Sequence, residues 1–221
     1  MSDRCANCDK AITQSTTFRD PNERVKPFTV TWVNFINKTD FSEMCNSCAD
    51  GPIARAYETI DKELSDLRES IEGRISDFPM FTGSWLPQHA DLKLKNLITA
   101  NVTVGTGIFS EFSQGFSDFF GAVNVSTGMS FKVNKGESAA RAILVTKALS
   151  LGGNCVLGVD IDYGTTSNNA ATINMQGTAA VIENLDSILH ADELARAQEL
   201  MQDFERAAEL RRWRSGQIPQ G

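Results

Sequence analysis

Histidine is almost missing: there are two in 221 residues. His89 and His190 stand apart, and neither sits in a setting that would make a triad or an acid–base pair. No run of about 18 apolar residues occurs, which argues against a membrane-spanning helix. The first residues, Met1 to Cys5, lack the apolar stretch of a secretory leader. There is no excess of basic residues either. The chain has 21 Lys and Arg against 28 Asp and Glu, for a net charge of −7. A chain of that charge has no general attraction for nucleic acid or for an anionic membrane. Gly105 and Gly107 begin a G-x-G, but the third position of a dinucleotide loop is Ser110, and no βαβ context surrounds it.

Cysteine is sparse but ordered. Four of the five form two C-x-x-C pairs, Cys5/Cys8 and Cys45/Cys48. Two such pairs supply four thiolates, which suits the tetrahedral preference of zinc. Thiols spaced this way, without a leader, point to a reducing compartment and hence the cytoplasm. Between the pairs, residues 28–35 (Phe-Thr-Val-Thr-Trp-Val-Asn-Phe) read as a strand, with Phe28, Val30 and Trp32 on one side. The order of C-x-x-C, strand, then C-x-x-C at a helix start resembles a treble-clef zinc finger. About fifty residues bury little core, so residues 1–52 are expected to form a β/α module held together by its metal. With four thiolates no coordination position remains open for catalysis, so a structural ion is favoured over a nucleic-acid or protein contact surface. A redox dithiol fits two matched pairs less well, and a zinc sensor would need a more labile site.

Residues 53–78 form a helical connector. Ile53, Tyr57, Ile60, Leu64, Leu67, Ile71 and Phe78 recur at steps of three or four, a narrow stripe that would suit a coiled coil or a helix packed on its own domain. Pro52 is placed near the first turn.

Residues 79–184 read as a sheet domain. Along 97–107, Ile98, Ala100, Val102 and Val104 face one way. Along 171–182, Ile173, Met175, Ala179 and Val181 do the same. Along 155–163, Leu157, Val159, Ile161 and Tyr163 are assigned to one face, and Val156, Gly158, Asp160 and Asp162 to the other. The fold class expected is α+β, a small antiparallel sheet covered by helices on one face. A Phe-rich helix is expected at Phe109, Phe112, Phe116, Phe119 and Phe120, as core or as a subunit interface. A loose polar stretch at 121–136 follows, then a helix over 137–151.

Three segments carry a family resemblance. They are Gly105-x-Gly-Ile-Phe-Ser-Glu-Phe112, then 139–163 with Gly158-Val-Asp-Ile-Asp-Tyr163, and Met175-Gln-Gly-Thr-Ala179. Over about residues 80–184 the chain resembles the bacterial YbjQ family, labelled heavy-metal-binding and otherwise uncharacterised. The resemblance implies a small α+β fold and ring-like homo-oligomers, with pentamers the expected form. Asp160, Asp162 and Tyr163 are the candidates for a cation or enzymatic site between subunits; the alternative is a solvated acidic pair. Cys155 reads as a buried, inert thiol.

A last amphipathic helix is expected over 185–214, capped by Asp186 or Ser187, before a short disordered tail at 215–221. Its stripe is Leu189, Leu194, Ala197, Met201, Phe204, Ala208 and Arg211. It would pair with 53–78 or dock a partner. The function expected is that of a non-enzymatic homo-oligomeric scaffold or adaptor displaying zinc modules to a protein partner, with nucleic acid as the alternative partner.

Overall fold

The computed structural model describes residues 4–13, 21–83, 90–104, 129–165 and 170–219. The chain divides into two compact units, Met1–Leu67 with Arg206–Gly221, and Arg68–Glu205. The Phe-rich segment 109–120 and His89 lie outside the described residues.

In the first unit, the stretch expected as a strand is a helix, α1 (Pro27–Asn37). Alternation of aromatic and β-branched residues suggested extended backbone, but tertiary packing overrides so weak a preference. The residues buried are Val30, Trp32 and Val33, neighbours on one side of a helix rather than of a pleat. Pro27 fits the first turn, where its missing N–H costs nothing. Lys38, at φ 54°, closes the helix by donating its N–H to the Asn34 carbonyl. The second helix, α2 (Asn46–Arg74), begins earlier than expected, and Pro52 lies inside it. β structure among the described residues of this unit is limited to isolated bridges, Arg4 with Ala11, Thr13 with Asn22 and Arg24 with Cys45.

The unit has a core of its own. Val30, Trp32, Val33, Met44, Ala49, Ala56, Ile60 and Leu210 pack together, with Ile53, Leu64, Leu67, Trp213 and Ile218 against them. Burying each large aliphatic side chain contributes about 1.5–3 kcal/mol, so these fifty residues do not rest on a metal alone. The C-terminal part of α4 (Ala191–Arg214) completes this core. The Trp32 indole N–H donates to the Trp213 carbonyl at 2.7 Å. Arg206 pairs with Glu63 at 2.7 Å and Arg214 with Asp61 at 2.6 Å. These pairs are half-exposed and contribute little to stability.

The second unit holds a four-stranded mixed sheet in the order β1-β3-β4-β2. Its strands are β1 (Met80–Phe81), β2 (Leu92–Val104), β3 (Cys155–Thr165) and β4 (Ala171–Ile182). The three long strands are antiparallel neighbours, as expected; the two-residue β1 adds a parallel edge. Ile98, Ala100, Val102 and Val104 are buried on one face together with Ile173, Met175 and Ala179 of the adjoining strand. α3 (Met129–Ser150) covers that face and begins eight residues before the expected start at 137. At Gly136 it comes so close that an added Cβ would lie 2.3 Å from the Ile173 Cδ1 and 2.9 Å from the Val104 Cγ2.

Strict alternation along β3 does not hold. Leu157 pairs with Thr178, but Asp160 pairs with Gln176, so one residue is extra between them. Gly158 supplies the bulge with φ +59°, a left-handed conformation that costs glycine nothing. Cys155 and Leu157 therefore share a face with Asp160 and Asp162, while Val156, Ile161 and Tyr163 share the other. The second face is not wholly bare, because the turn after β4 packs on one end of it. At one end of the second face, Cys155, Leu157, Ala180, Ile182 and Leu185 form a small core under Phe81, Ile188, Leu189 and Leu194.

β2 is the long edge strand. A bulge falls between Leu94 and Asn96, and Leu94 and Leu97 are 65% and 64% exposed. A short 3-10 turn, Leu185–Ser187, precedes α4, which starts at Ala191 rather than at the expected cap. His190 is the cap position, and its backbone N–H donates to the Glu193 carboxylate at 3.1 Å. The buried stripe of α4 runs through Ala197, Leu200, Phe204, Ala207 and Leu210, rotated from the expected one, so that Ala208 is exposed. In this unit Arg74 pairs with Glu199 and Asp203, and Arg196 with Asp77.

Gly177 in β4 faces the bulged strand. A Cβ there would lie 2.5 Å from the Val156 Cγ1 and 3.2 Å from the Leu157 carbonyl oxygen. Gly177→Ala is expected to lower the unfolding free energy by about 1–3 kcal/mol. Urea denaturation measures this, and an unchanged midpoint would mean that β3 does not pass so near.

Candidate metal centre

Two turns from distant parts of the chain deliver the four cysteines. The first is a tight hairpin. Cys5 N–H donates to the Lys10 carbonyl at 2.9 Å, and Asp9 N–H donates to the Cys5 carbonyl at 2.8 Å. Asp9 takes the left-handed conformation at φ 57° that such a turn requires. The second pair straddles the start of α2. Cys48 and Ala49 N–H both donate to the Cys45 carbonyl, so the C-x-x-C turn is the first turn of the helix. The positive end of the helix dipole there favours a thiolate.

The sulphurs converge. Cys8 and Cys45 Sγ lie 3.5 Å apart, Cys45 and Cys48 Sγ 3.7 Å, and Cys5 and Cys48 Sγ 3.8 Å. All four lie within 4.8 Å of one another. A metal bound tetrahedrally by sulphur at about 2.3 Å requires sulphur–sulphur separations of about 3.8 Å. The residues fit such an ion. Cys5 and Cys45 are buried, whereas Cys8 and Cys48 are half-buried, so one edge of the centre meets solvent. Among the described residues no other group of three or more His, Cys, Asp or Glu side chains is close enough to hold a metal.

The sulphurs share charge unequally. For Cys45, burial raises the pKa, but hydrogen bonds from Cys8, Cys48, Asn22 and Cys5 outweigh it and hold the thiol down at about 7. The Lys10 backbone N–H draws the Cys8 pKa down, yet burial and the three neighbouring sulphurs push it up to about 12. Cys45 thus carries charge more readily than Cys8, whose thiol acts as a donor to it.

Side chains that the sequence did not single out surround the centre. Ala6 N–H donates to Glu43 Oε1 at 2.7 Å, and Arg24 Nε donates to Glu43 Oε2 at 2.9 Å. These two donors hold Glu43 below the usual carboxylate range. Ser47 donates its N–H and hydroxyl to Asn22 Oδ1, and Asn7 Nδ2 points at Cys48 Sγ at 3.4 Å. Glu43 was in view two residues before Cys45. Nothing in the pattern marked Asn22.

The second candidate set is not assembled within one chain. Asp160 and Asp162 are exposed on one sheet face, where Asp160 accepts a long contact from Gln176 Nε2 at 3.4 Å. Tyr163 lies on the other face and donates its hydroxyl to Glu137 at 3.2 Å. Cys155 is buried, and desolvation pushes its thiol up to about 12.

A mixed-sheet α+β domain joined to a four-cysteine centre defines the class of protein. A family model described as "Putative heavy-metal-binding" matches residues 79–183. The UPF0145 protein of Acetivibrio thermocellus is 30% identical over 94 residues, covering 42% of this chain and 87% of that protein. The UPF0145 protein lwe0170 of Listeria welshimeri is 32% identical over 98 residues, covering 43% and 86%. A crystal structure of a protein of unknown function from Pediococcus pentosaceus, assigned to the DUF74 family, aligns at a TM-score of 0.33 and 14% identity. It covers 47% of this chain and 96% of that one. The chain belongs to the YbjQ family. The matched residues include Cys155 but none of the four clustered cysteines. Among the described residues, no helix is long and apolar enough to cross a membrane.

Alkylation tests this geometry. In metal-free protein at about pH 8, iodoacetamide is expected to label the four-cysteine cluster, one edge of which meets solvent, and to spare buried Cys155 until the chain unfolds. Peptide mass spectrometry reads the order, and early labelling of Cys155 would contradict its burial.

Proposed function

We propose that this protein is a non-enzymatic, homo-oligomeric scaffold that carries a structural zinc ion on Cys5, Cys8, Cys45 and Cys48 and displays that zinc-bearing unit to a protein partner. The observation that carries the reading is the convergence of four sulphurs within 4.8 Å on a unit with its own apolar core. Sulphur-only ligation favours zinc among abundant cations, and four thiolates leave no position for a substrate. Exposed aromatic residues on the same unit, Phe28, Phe35 and Tyr57, support a role in protein contact.

The family's sheet domain supplies the assembly, with a pentamer as the expected form. Copies joined in a ring turn a weak single contact into avidity. The metal in the family's description belongs to relatives that this chain matches outside its own cysteine cluster, so the cluster adds a metal site to whatever the sheet domain provides. The Asp160/Asp162 pair remains the candidate for a cation site repeated around the ring, and nucleic acid remains the alternative partner. A steep loss of nucleic-acid binding with salt would favour the latter.

Native mass spectrometry of the purified protein tests the proposal, because it counts chains and metal together. One zinc per chain in a closed ring is the expected result. A monomer would remove the avidity argument, and a ring without zinc would remove the metal. Cys45→Ser is expected to abolish stoichiometric zinc.

Zinc binding displaces protons from thiols, so acid competes with the metal. Zinc is expected to be held at neutral pH and released progressively in acid, below the pH at which the free thiols would take up protons, because the bound metal competes with the proton. A chelating dye follows the release, and retention at about pH 4 would argue against a thiolate centre.

A further inference from the structure

Each chelating turn is held at its apex by a side chain that is not itself a ligand. Ala6 lies between Cys5 and Cys8, and its N–H donates to Glu43 Oε1 at 2.7 Å. Glu43 comes from the approach to the second pair, and its other oxygen accepts from Arg24 Nε at 2.9 Å. Arg24 is backbone-bridged to Cys45. Ser47 lies between Cys45 and Cys48, and both its N–H and its hydroxyl donate to Asn22 Oδ1, at 3.2 and 3.0 Å. Asn22 Nδ2 donates in turn to the Ala11 carbonyl at 2.7 Å, on the stretch that leaves the first turn. The two latches cross: a residue beside the second pair holds the first turn, and a residue tied to the first hairpin holds the second.

We infer that Glu43 and Asn22 are the positioning residues of the metal centre, setting its affinity by fixing the two C-x-x-C turns against each other. This inference rests on reading the four cysteines as a metal centre. The physical reason is pre-organisation. The two pairs are far apart in sequence, and without the latches each binding event must order both turns. Partners that orient ligands through hydrogen bonds typically change metal affinity by about 10- to 100-fold. Neither residue belongs to the apolar cluster of Val33, Met44, Ile60 and Leu210, so removing a latch weakens the centre while the unit's core persists.

The test is a cobalt titration of the full chain against a competing chelator, read by the thiolate-to-cobalt charge-transfer band. Glu43→Ala and Asn22→Ala are each expected to lose about 10- to 100-fold in affinity. Glu43→Gln, which keeps an acceptor for Ala6 N–H, is expected to lose less than Glu43→Ala. Near-ultraviolet circular dichroism of Trp32 and Trp213 should be unchanged in all three. Wild-type affinity in both alanine variants would overturn the inference while leaving the metal centre standing. Lost affinity together with a collapsed tryptophan signal would also overturn it, since the residues would then be plain structural supports. Wild-type protein that binds no cobalt at all would remove the metal centre itself.

Discussion

Hydrogen bonding along both sides of β4 is the constraint on which the sheet domain depends. β4 pairs with β2 on one side and β3 on the other, and its burial alternates along most of its length. A strand fixed on both sides cannot slip by one residue without turning its apolar set toward solvent. Irregularity is therefore displaced onto the neighbours. β2 takes an extra residue opposite Ala180 and Ala179, and β3 takes one opposite Thr178 and Gln176. The bulge in β3 decides which side chains meet α3 and which meet the second small core. Asp160 and Asp162 reach the exposed end of their face because the strand is offset before them.

The first unit solves a different problem. A four-cysteine centre gathers groups that repel one another once ionised, and a metal or shared protons must offset that repulsion. Here the scaffold around the sulphurs is more than the metal. Trp32, Val33 and Met44 pack against Ile60 and Leu210, so the helices supply a core that a small finger lacks. The arrangement separates two duties: apolar burial holds the helices, and a shell of polar contacts aims the ligands.

Much of this was legible in the chain. The paired C-x-x-C spacing picked out the four cysteines that converge, because thiol chemistry at that spacing has few other uses. β2 and β4 were visible as alternation, since one face of each is buried and the other wet. The family resemblance lay in motifs of residues 79–183, the segment that the family model matches. Other parts were hidden for physical reasons. Phe28, Val30 and Trp32 alternate as a strand would, and only the partners waiting in α2 and α4 make the helix the better solution. Gly158 inverts the facing of half of β3, yet a glycine in a strand does not announce a bulge by composition. Pro52 looked like a helix start, though the helix had already begun at the second cysteine pair. Asn22 could not be found at all, because its role exists only once two distant turns have met.

The edge strand has a consequence for how the chain reaches this fold. β3 and β4 are joined by a short connection and can pair early, whereas β2 must wait for a partner far along the chain. During that wait Leu92, Leu94 and Leu97 stand open on a segment able to pair with any strand it meets. Lys93 and Lys95 are interleaved with them, and the bulge sits at Lys95. Charge and irregularity at an unpaired edge are the usual protection against promiscuous strand pairing. The sequence Leu-Lys-Leu-Lys thus sets a charge beside Leu92 and Leu94 on the edge, which disfavours pairing with a foreign strand.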